Sequence, residues 1–248
     1  MELREFFARH PKAALGLSGG TDSAYLLYAG LSFGADLRPY YIKTQFQPGF
    51  ELEDARRLCS QLGAELTVIE GDILSVPGVA ENPKDRCYHC KRALFTLLSE
   101  RAASDGYAEL LDGTNASDEP GERPGTRALQ ELGVLSPLRD CGLDKAEVRR
   151  LSKEAGLFTH DKPSYACLAT RMPTGRRIED SMLCKIADAE DALRQLGYSG
   201  LRVRLEDCGV RLELPERQLE RAVSGRGKLL ELLGGFGRVT LDLRGRAE

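Results

Sequence analysis

From residue 13 to about residue 158, short apolar runs alternate with longer amphipathic stretches. Ala13 to Leu17 (AALGL), Pro39 to Lys43 (PYYIK), Glu65 to Ile69 (ELTVI) and Glu109 to Leu111 are short and apolar, which predicts buried strands. Between them, Ser23 to Gly30, Glu51 to Leu62 and Lys91 to Ala103 carry apolar residues at helical spacing. Strand and helix in alternation need crossover connections, so the pattern predicts a parallel sheet covered on both faces. A further helix is expected over Asp144 to Ala155, from a good N-cap to a stop at Gly156.

Beyond that helix the pattern changes. DKPSYACLATRMPTGRRIED carries two prolines and no periodicity, which reads as a functional loop at a domain junction. The remainder predicts a helix over 180–196, strands near 201–205 and 209–214, a helix over 215–233 and a strand over 238–243. The expected class is therefore α/β. A parallel-sheet domain over 1–160 precedes the loop and a smaller α+β domain over 161–248.

With 248 residues of which 42% are hydrophobic, the chain can bury a core, and disordered or collagen-like classes are excluded. Lys and Arg number 35 against 38 Asp and Glu, a balance that argues against a nucleic-acid partner. No apolar stretch approaches the roughly 20 residues that cross a bilayer, and the first residues lack an apolar leader. A cytoplasmic protein without a membrane partner is expected. Seven cysteines cannot complete a disulfide framework, which brings metal or thiol chemistry forward.

The sharpest local signal is Leu17-Ser18-Gly19-Gly20-Thr21-Asp22-Ser23, between the first strand and the first helix. Adjacent glycines let the backbone turn tightly and approach an anion, while the positive helix end faces the same spot, so a phosphate should sit there. The run is neither GxxxxGK[ST], since no Lys follows the glycines, nor GxGxxG. Asp22 either orients Mg2+ or is simply an acid in the first helical turn. Lys43 and the Asp112-Gly113-Thr114-Asn115 turn fall at the carboxyl edge of the sheet, where ligands of open α/β folds bind. A solvated lysine and a capping turn are the competing accounts.

Cys87-Tyr88-His89-Cys90 precedes a helix, and Cys167 lies in the PSYACLATR loop. A CxxC at a helix start lets two thiolates face one ion. Zinc would need a fourth ligand, for which His89 and His160 are candidates, whereas three thiolates leave one corner open and suit an iron–sulfur cluster. Unlinked thiols and a redox disulfide compete with both. Cys59, Cys141, Cys184 and Cys208 read as small hydrophobes or incidental thiols. Arg202 and Arg204, two apart on a strand, face one side and can close on one phosphate; an exposed charged sheet face is the alternative.

SGGxDS after the first strand resembles the PP-loop ATP pyrophosphatase superfamily, with its adenine nucleotide alpha hydrolase-like domain. Together with NPKDRCYHCKRALF, LLDGTN, RPG at 123–125, SPL at 136–138, DKPSYACLATR and RVR at 202–204, the resemblance narrows to the LarE family of ATP-dependent sulfur transferases. It implies that Ser18, Gly19, Gly20, Thr21, Asp22 and Ser23, with Lys43, Gly113, Thr114 and Asn115, hold ATP and Mg2+. It implies a pyridinium-3,5-biscarboxylic acid mononucleotide substrate, adenylated and then converted to a thiocarboxylate in nickel-pincer nucleotide biosynthesis. Arg123, Lys162 and Glu190 would join Arg202 and Arg204 at that substrate, although a solvated helix face also accounts for Glu190. Cys87, Cys90 and Cys167 match members that carry a [4Fe-4S] cluster, whose open iron would hold an exogenous sulfide, and a homo-oligomer is expected. The sequence names no sulfide donor. A [4Fe-4S]-dependent tRNA thiolation enzyme, an amidotransferase of the NAD- or GMP-synthetase kind and a non-enzymatic metal-binding protein are the alternatives.

Overall fold

In β1 (Lys12–Gly16), Ala13, Ala14 and Leu15 follow one another without any exposed surface. A strand apolar on both faces must be covered on both, and it is. Ala13 and Leu15 pack in a core with α1 (Leu3–Arg9) and α2 (Thr21–Ser32), to which Leu58 of α3 (Gly49–Leu62) belongs. Ala14 faces a second core, formed with β2 (Asp36–Lys43), β3 (Thr67–Glu70), α4 (Arg86–Ser104), β4 (Leu110–Leu111) and α5 (Pro124–Glu131). All pairings are parallel, in the order β3-β2-β1-β4. α6 (Pro137–Asp140) and α7 (Lys145–Glu154) follow.

The structure is a computed structural model and describes residues 1–118 and 124–246. It divides into two units, Met1–Val79 with Asp85–Lys162, and Ala80–Lys84 with Pro163–Glu248. In the second, α8 (Asp180–Gln195) packs on β5 (Arg202–Glu206), which pairs antiparallel with β6 (Gly209–Glu213). α9 (Leu219–Ser224) and α10 (Arg226–Leu233) lead to β7 (Arg238–Leu241), parallel to β6. Val203, Leu205, Val210 and Leu212 are buried, while Arg202, Arg204 and Arg211 keep partial exposure, as strand alternation requires. Ala80–Lys84 is tied to this unit by Gly175 N–H and Ile178 N–H, each 2.7 Å from the carbonyls of Asn82 and Ala80.

The α/β class, a parallel sheet followed by a small α+β unit, is the one the alternation predicts. The short helices α5 and α6 were not expected, and three further elements differ. α1 escapes the periodicity because one seven-residue helix makes barely two turns, yet Phe6 and Phe7 bury its apolar side. The helix expected to begin at Lys91 begins at Arg86, so Cys87 and Cys90 lie inside its first two turns rather than ahead of it. The long helix over 215–233 is broken at Gly225, where low helix propensity lets the chain turn. Among the described residues no helix is long and apolar enough to cross a membrane.

Candidate active site

The chain leaves β1 and turns through residues 17–20 into α2, and the two glycines there serve different ends. Gly19 has φ +74°, and a Cβ on it would fall 2.8 Å from the Glu51 carbonyl oxygen, so both conformation and packing demand glycine. Gly20 caps α2 with φ −88° and ψ 169°, a conformation open to any residue. A Cβ on Gly20 would meet only Ser18 Oγ, at 3.4 Å. The missing side chain therefore keeps open the ground in front of the helix start, where unpaired first-turn N–H groups and the positive dipole end favour an anion. Ser18 and Ser23 face each other across this spot, their hydroxyls 3.1 Å apart.

Several side chains brace the turn. Thr21 Oγ1 donates to the Thr159 carbonyl at 2.7 Å, and Lys162 Nζ donates to Gly19 O at 2.8 Å and to Asp54 at 2.5 Å. Arg149 holds the same segment through the carbonyls of His160 and Lys162. Lys162, expected at the substrate, is thus engaged by the anion-binding turn. At the sheet edge Lys43 donates to the Gln47 carbonyl. Asp112 accepts from Ser136 Oγ at 2.7 Å and from Thr114, and Asn115 accepts from Ser117 N–H at 2.8 Å. A Cβ on Gly113 would lie 2.8 Å from Ser23 N, which presses this turn against the start of α2.

Asp22 accepts the Lys145 ammonium on Oδ2 at 2.6 Å, and its Oδ1 is buried without a hydrogen-bond partner among the described residues. The backbone N–H of Arg139 donates to Thr114 O at 3.2 Å. Lys145, Asp54 and Arg149 were not legible as site residues: each reads as an ordinary helix-surface charge until distant segments are brought together.

Cys87 and Cys90 stand one turn apart on α4 in the first unit, the former exposed and the latter half-buried; Cys167 precedes a 3-10 turn over Leu168–Arg171 in the second. No cysteine is in a disulfide. Arg86, buried, brings Nη2 to 3.8 Å from Cys87 Sγ. Among the described residues no group of three His, Cys, Asp or Glu gathers to hold a metal ion. Burial pushes the Cys59 thiol up to about 11 and raises Cys141 as well, in keeping with inert roles.

In the second unit Glu190 is wholly buried, which removes the solvated-face account. Its carboxylate accepts from Arg171 Nε and Nη2, Tyr165 Oη, Arg194 Nη2 and Val203 N–H. Burial and then the Glu190 charge push the Tyr165 phenol up. For Arg171 burial acts downward, and the hydrogen bonds and charge of Glu190 outweigh it, so the guanidinium is held protonated. Arg204 pairs with Glu213 at 2.7 Å and donates to Thr170 O at 3.0 Å. Arg202 differs: burial first, then the charges of Arg246, Arg171 and Arg204, pull it down to about 10, and the nearby Glu213 offsets them only in part. Arg246, held on Gly200 O at 2.7 Å, is a third guanidinium that the strand pattern did not reveal. A groove of about 550 Å3, a volume suited to a small ligand, is lined by Arg171, Arg204, Arg211 and Arg238 together with Glu206 and Asp207; Arg202 and Arg246 are not part of its lining. Arg123 lies outside the described residues.

No protein-family model matches the chain. It is 36% identical over 250 residues to an uncharacterised protein of Synechocystis, covering 98% of this chain and 92% of that one. It is 31% identical over 238 residues to the pyridinium-3,5-bisthiocarboxylic acid mononucleotide synthase of Lactiplantibacillus plantarum, covering 94% and 86%. A more distant likeness, 25% over 198 residues, joins 61% of it to 54% of the tRNA-specific 2-thiouridylase of Thermotoga petrophila.

Proposed function

The chain belongs to the LarE family of sulfur transferases, in the PP-loop superfamily, and from that premise we propose that it uses ATP to place sulfur on a carboxylate of a pyridinium mononucleotide. The specific substrate in this reading is pyridinium-3,5-biscarboxylic acid mononucleotide, and the product a thiocarboxylate for the nickel-pincer nucleotide. One observation carries it: Gly20, which neither conformation nor protein packing obliges to be glycine, leaves room for a phosphate at the start of α2.

Each residue group then has a task. The α2 N–H groups and the facing Ser18 and Ser23 hydroxyls hold the β,γ-phosphates of ATP. Lys162, Asp54 and Thr21 fix the turn that presents those donors. The Arg202, Arg204 and Arg246 guanidiniums take the 5′-phosphate of the mononucleotide, relieving their mutual repulsion. A substrate carboxylate oxygen bonds to the α-phosphorus, and pyrophosphate leaves with the electron pair of the broken P–O bond. A sulfur nucleophile then adds to the acyl carbon and expels AMP. Asp22, one of whose oxygens is buried with no hydrogen-bond partner among the described residues, would hold Mg2+, which would supply charge neutralisation on the phosphates. Cys87 and Cys90, free and one turn apart on α4, would hold two corners of a [4Fe-4S] cluster, with Cys167 as the third by the family resemblance, and such a cluster would supply the sulfide.

The test is an anaerobic assay with ATP, sulfide and the pyridinium dicarboxylate mononucleotide. Pyrophosphate release that depends on the mononucleotide, with a thiocarboxylate product by mass spectrometry, is expected. Release without the mononucleotide, or tight salt-sensitive binding of bulk tRNA, would replace this reading with another of the superfamily.

A further inference from the structure

The carboxylate of Asp22 is unevenly served. Lys145 Nζ lies 2.6 Å from Oδ2, whereas Oδ1 is buried with no hydrogen-bond partner among the described residues. A carboxylate kept only for structure would have both oxygens met, since an unpaired buried acceptor costs free energy. Lys145 itself is anchored at the root: it opens α7 behind the N-cap Asp144, and its N–H donates to Ser117 Oγ at 3.0 Å. Its four-carbon stem is flexible and its side chain only about one-third exposed. Asp22 is the second residue of α2, so this ammonium rests beside the helix start that forms the anion-binding turn. The turn has no lysine of its own. Lys145, 123 residues away, brings one to it.

We propose that Lys145 is a catalytic residue of adenylation, parked on Asp22 when no nucleotide is bound and moving onto the β,γ-pyrophosphate of ATP. The proposal rests on the nucleotide reading of the turn given above. As the carboxylate oxygen bonds to the α-phosphorus, the P–O bond to the β-phosphate breaks and its electron pair goes to pyrophosphate; no proton is transferred. Negative charge grows on the leaving group, and a cation that can follow it stabilises the transition state more than the ground state. Asp22 is thereby freed as a ligand when the ammonium departs.

Calorimetric titration of the full chain with ATP, inorganic pyrophosphate and AMP decides the matter. Lys145→Met is expected to weaken ATP and pyrophosphate by about tenfold to a hundredfold, the scale of a lost charge-assisted hydrogen bond, with AMP affinity unchanged and reporting an intact fold. Asp22→Asn, which leaves the lysine without its resting partner, is expected to tighten pyrophosphate in the absence of Mg2+, and the added Lys145→Met to remove that gain. Equal losses for ATP and AMP in Lys145→Met, or no tightening in Asp22→Asn, would overturn the proposal while leaving the nucleotide site standing. Wild-type protein that binds neither ATP nor pyrophosphate would overturn the site and the proposal together.

Discussion

Arg171 and Glu190 form a two-pronged ion pair, Nε to Oε1 at 2.8 Å and Nη2 to Oε2 at 3.0 Å, with neither side chain exposed. The remaining Arg171 nitrogen reaches the Ala166 carbonyl at 2.7 Å and Thr170 Oγ1 at 3.0 Å. The pair therefore clasps the segment on both sides of Cys167, through the Ala166 backbone and the Thr170 hydroxyl. Two buried charges gain little net stability as a pair, but removing one strands the other. Glu190→Gln is expected to cost about 3–5 kcal/mol in a urea melt. Arg171→Met combined with Glu190→Leu should cost less than the two single changes summed.

The two turn glycines are separable. Gly19→Ala forces a side chain into left-handed backbone and into the Glu51 carbonyl, so a loss of about 1–3 kcal/mol is expected in the same melt. Gly20→Ala meets neither obstacle and should leave stability within about 0.5 kcal/mol of wild type. Its effect should appear in an ATP titration instead, as a loss of binding. Full ATP affinity in Gly20→Ala would contradict the placement of phosphate there.

The arginine cluster makes a prediction with a sign. Arg202 is a base whose folded-state pKa is lowered, chiefly by burial, to about 10 from the ordinary arginine value. Below about 10 it is charged in the folded and unfolded chain alike, so the cost of burying that charge among other cations is present in full. As pH climbs past about 10 toward the ordinary arginine range the folded chain loses its proton first, and stability recovers. Across the neutral range only an anion relieves it. Sulfate should raise Tm by the same amount from neutral pH to about pH 9, and Arg202→Gln should raise the anion-free Tm and abolish the sulfate shift.

The cysteines should sort by environment. At about pH 8, iodoacetamide is expected to modify the exposed Cys87, Cys184 and Cys208 of metal-free native protein, while Cys59, buried and with its thiol pushed up to about 11, reacts only after unfolding. Loading with iron and sulfide should spare Cys87 and leave Cys184 and Cys208 reactive. Peptide mass mapping reads both outcomes, and protection of all three or of none would count against a cluster at Cys87.

Most of the fold was legible because its signals are local and repeated. Ala13, Ala14 and Leu15 in a row announce a strand buried on both faces, and Asp144 announces a helix start that the structure caps through the Glu147 N–H at 2.8 Å. Elements of one or two turns, such as α1 and α6, carry too few residues for a period to show. The anion-binding turn was legible for the same reason as the strands, since its residues are neighbours in the chain.

By itself, then, the order of residues determined the parallel sheet, the glycine turn opening α2 and the residue types available for chemistry. Packing alone decided which long-range partners those residues meet. Lys145 comes to Asp22, Lys162 to Gly19 and Asp54, and Glu190 into a buried net with Tyr165, Arg171 and Arg194. Periodicity reports which face of an element is apolar; it carries no record of which charged side chain on a distant element will be close enough to share a proton or an ion, because that depends on how helices and strands stack around the core.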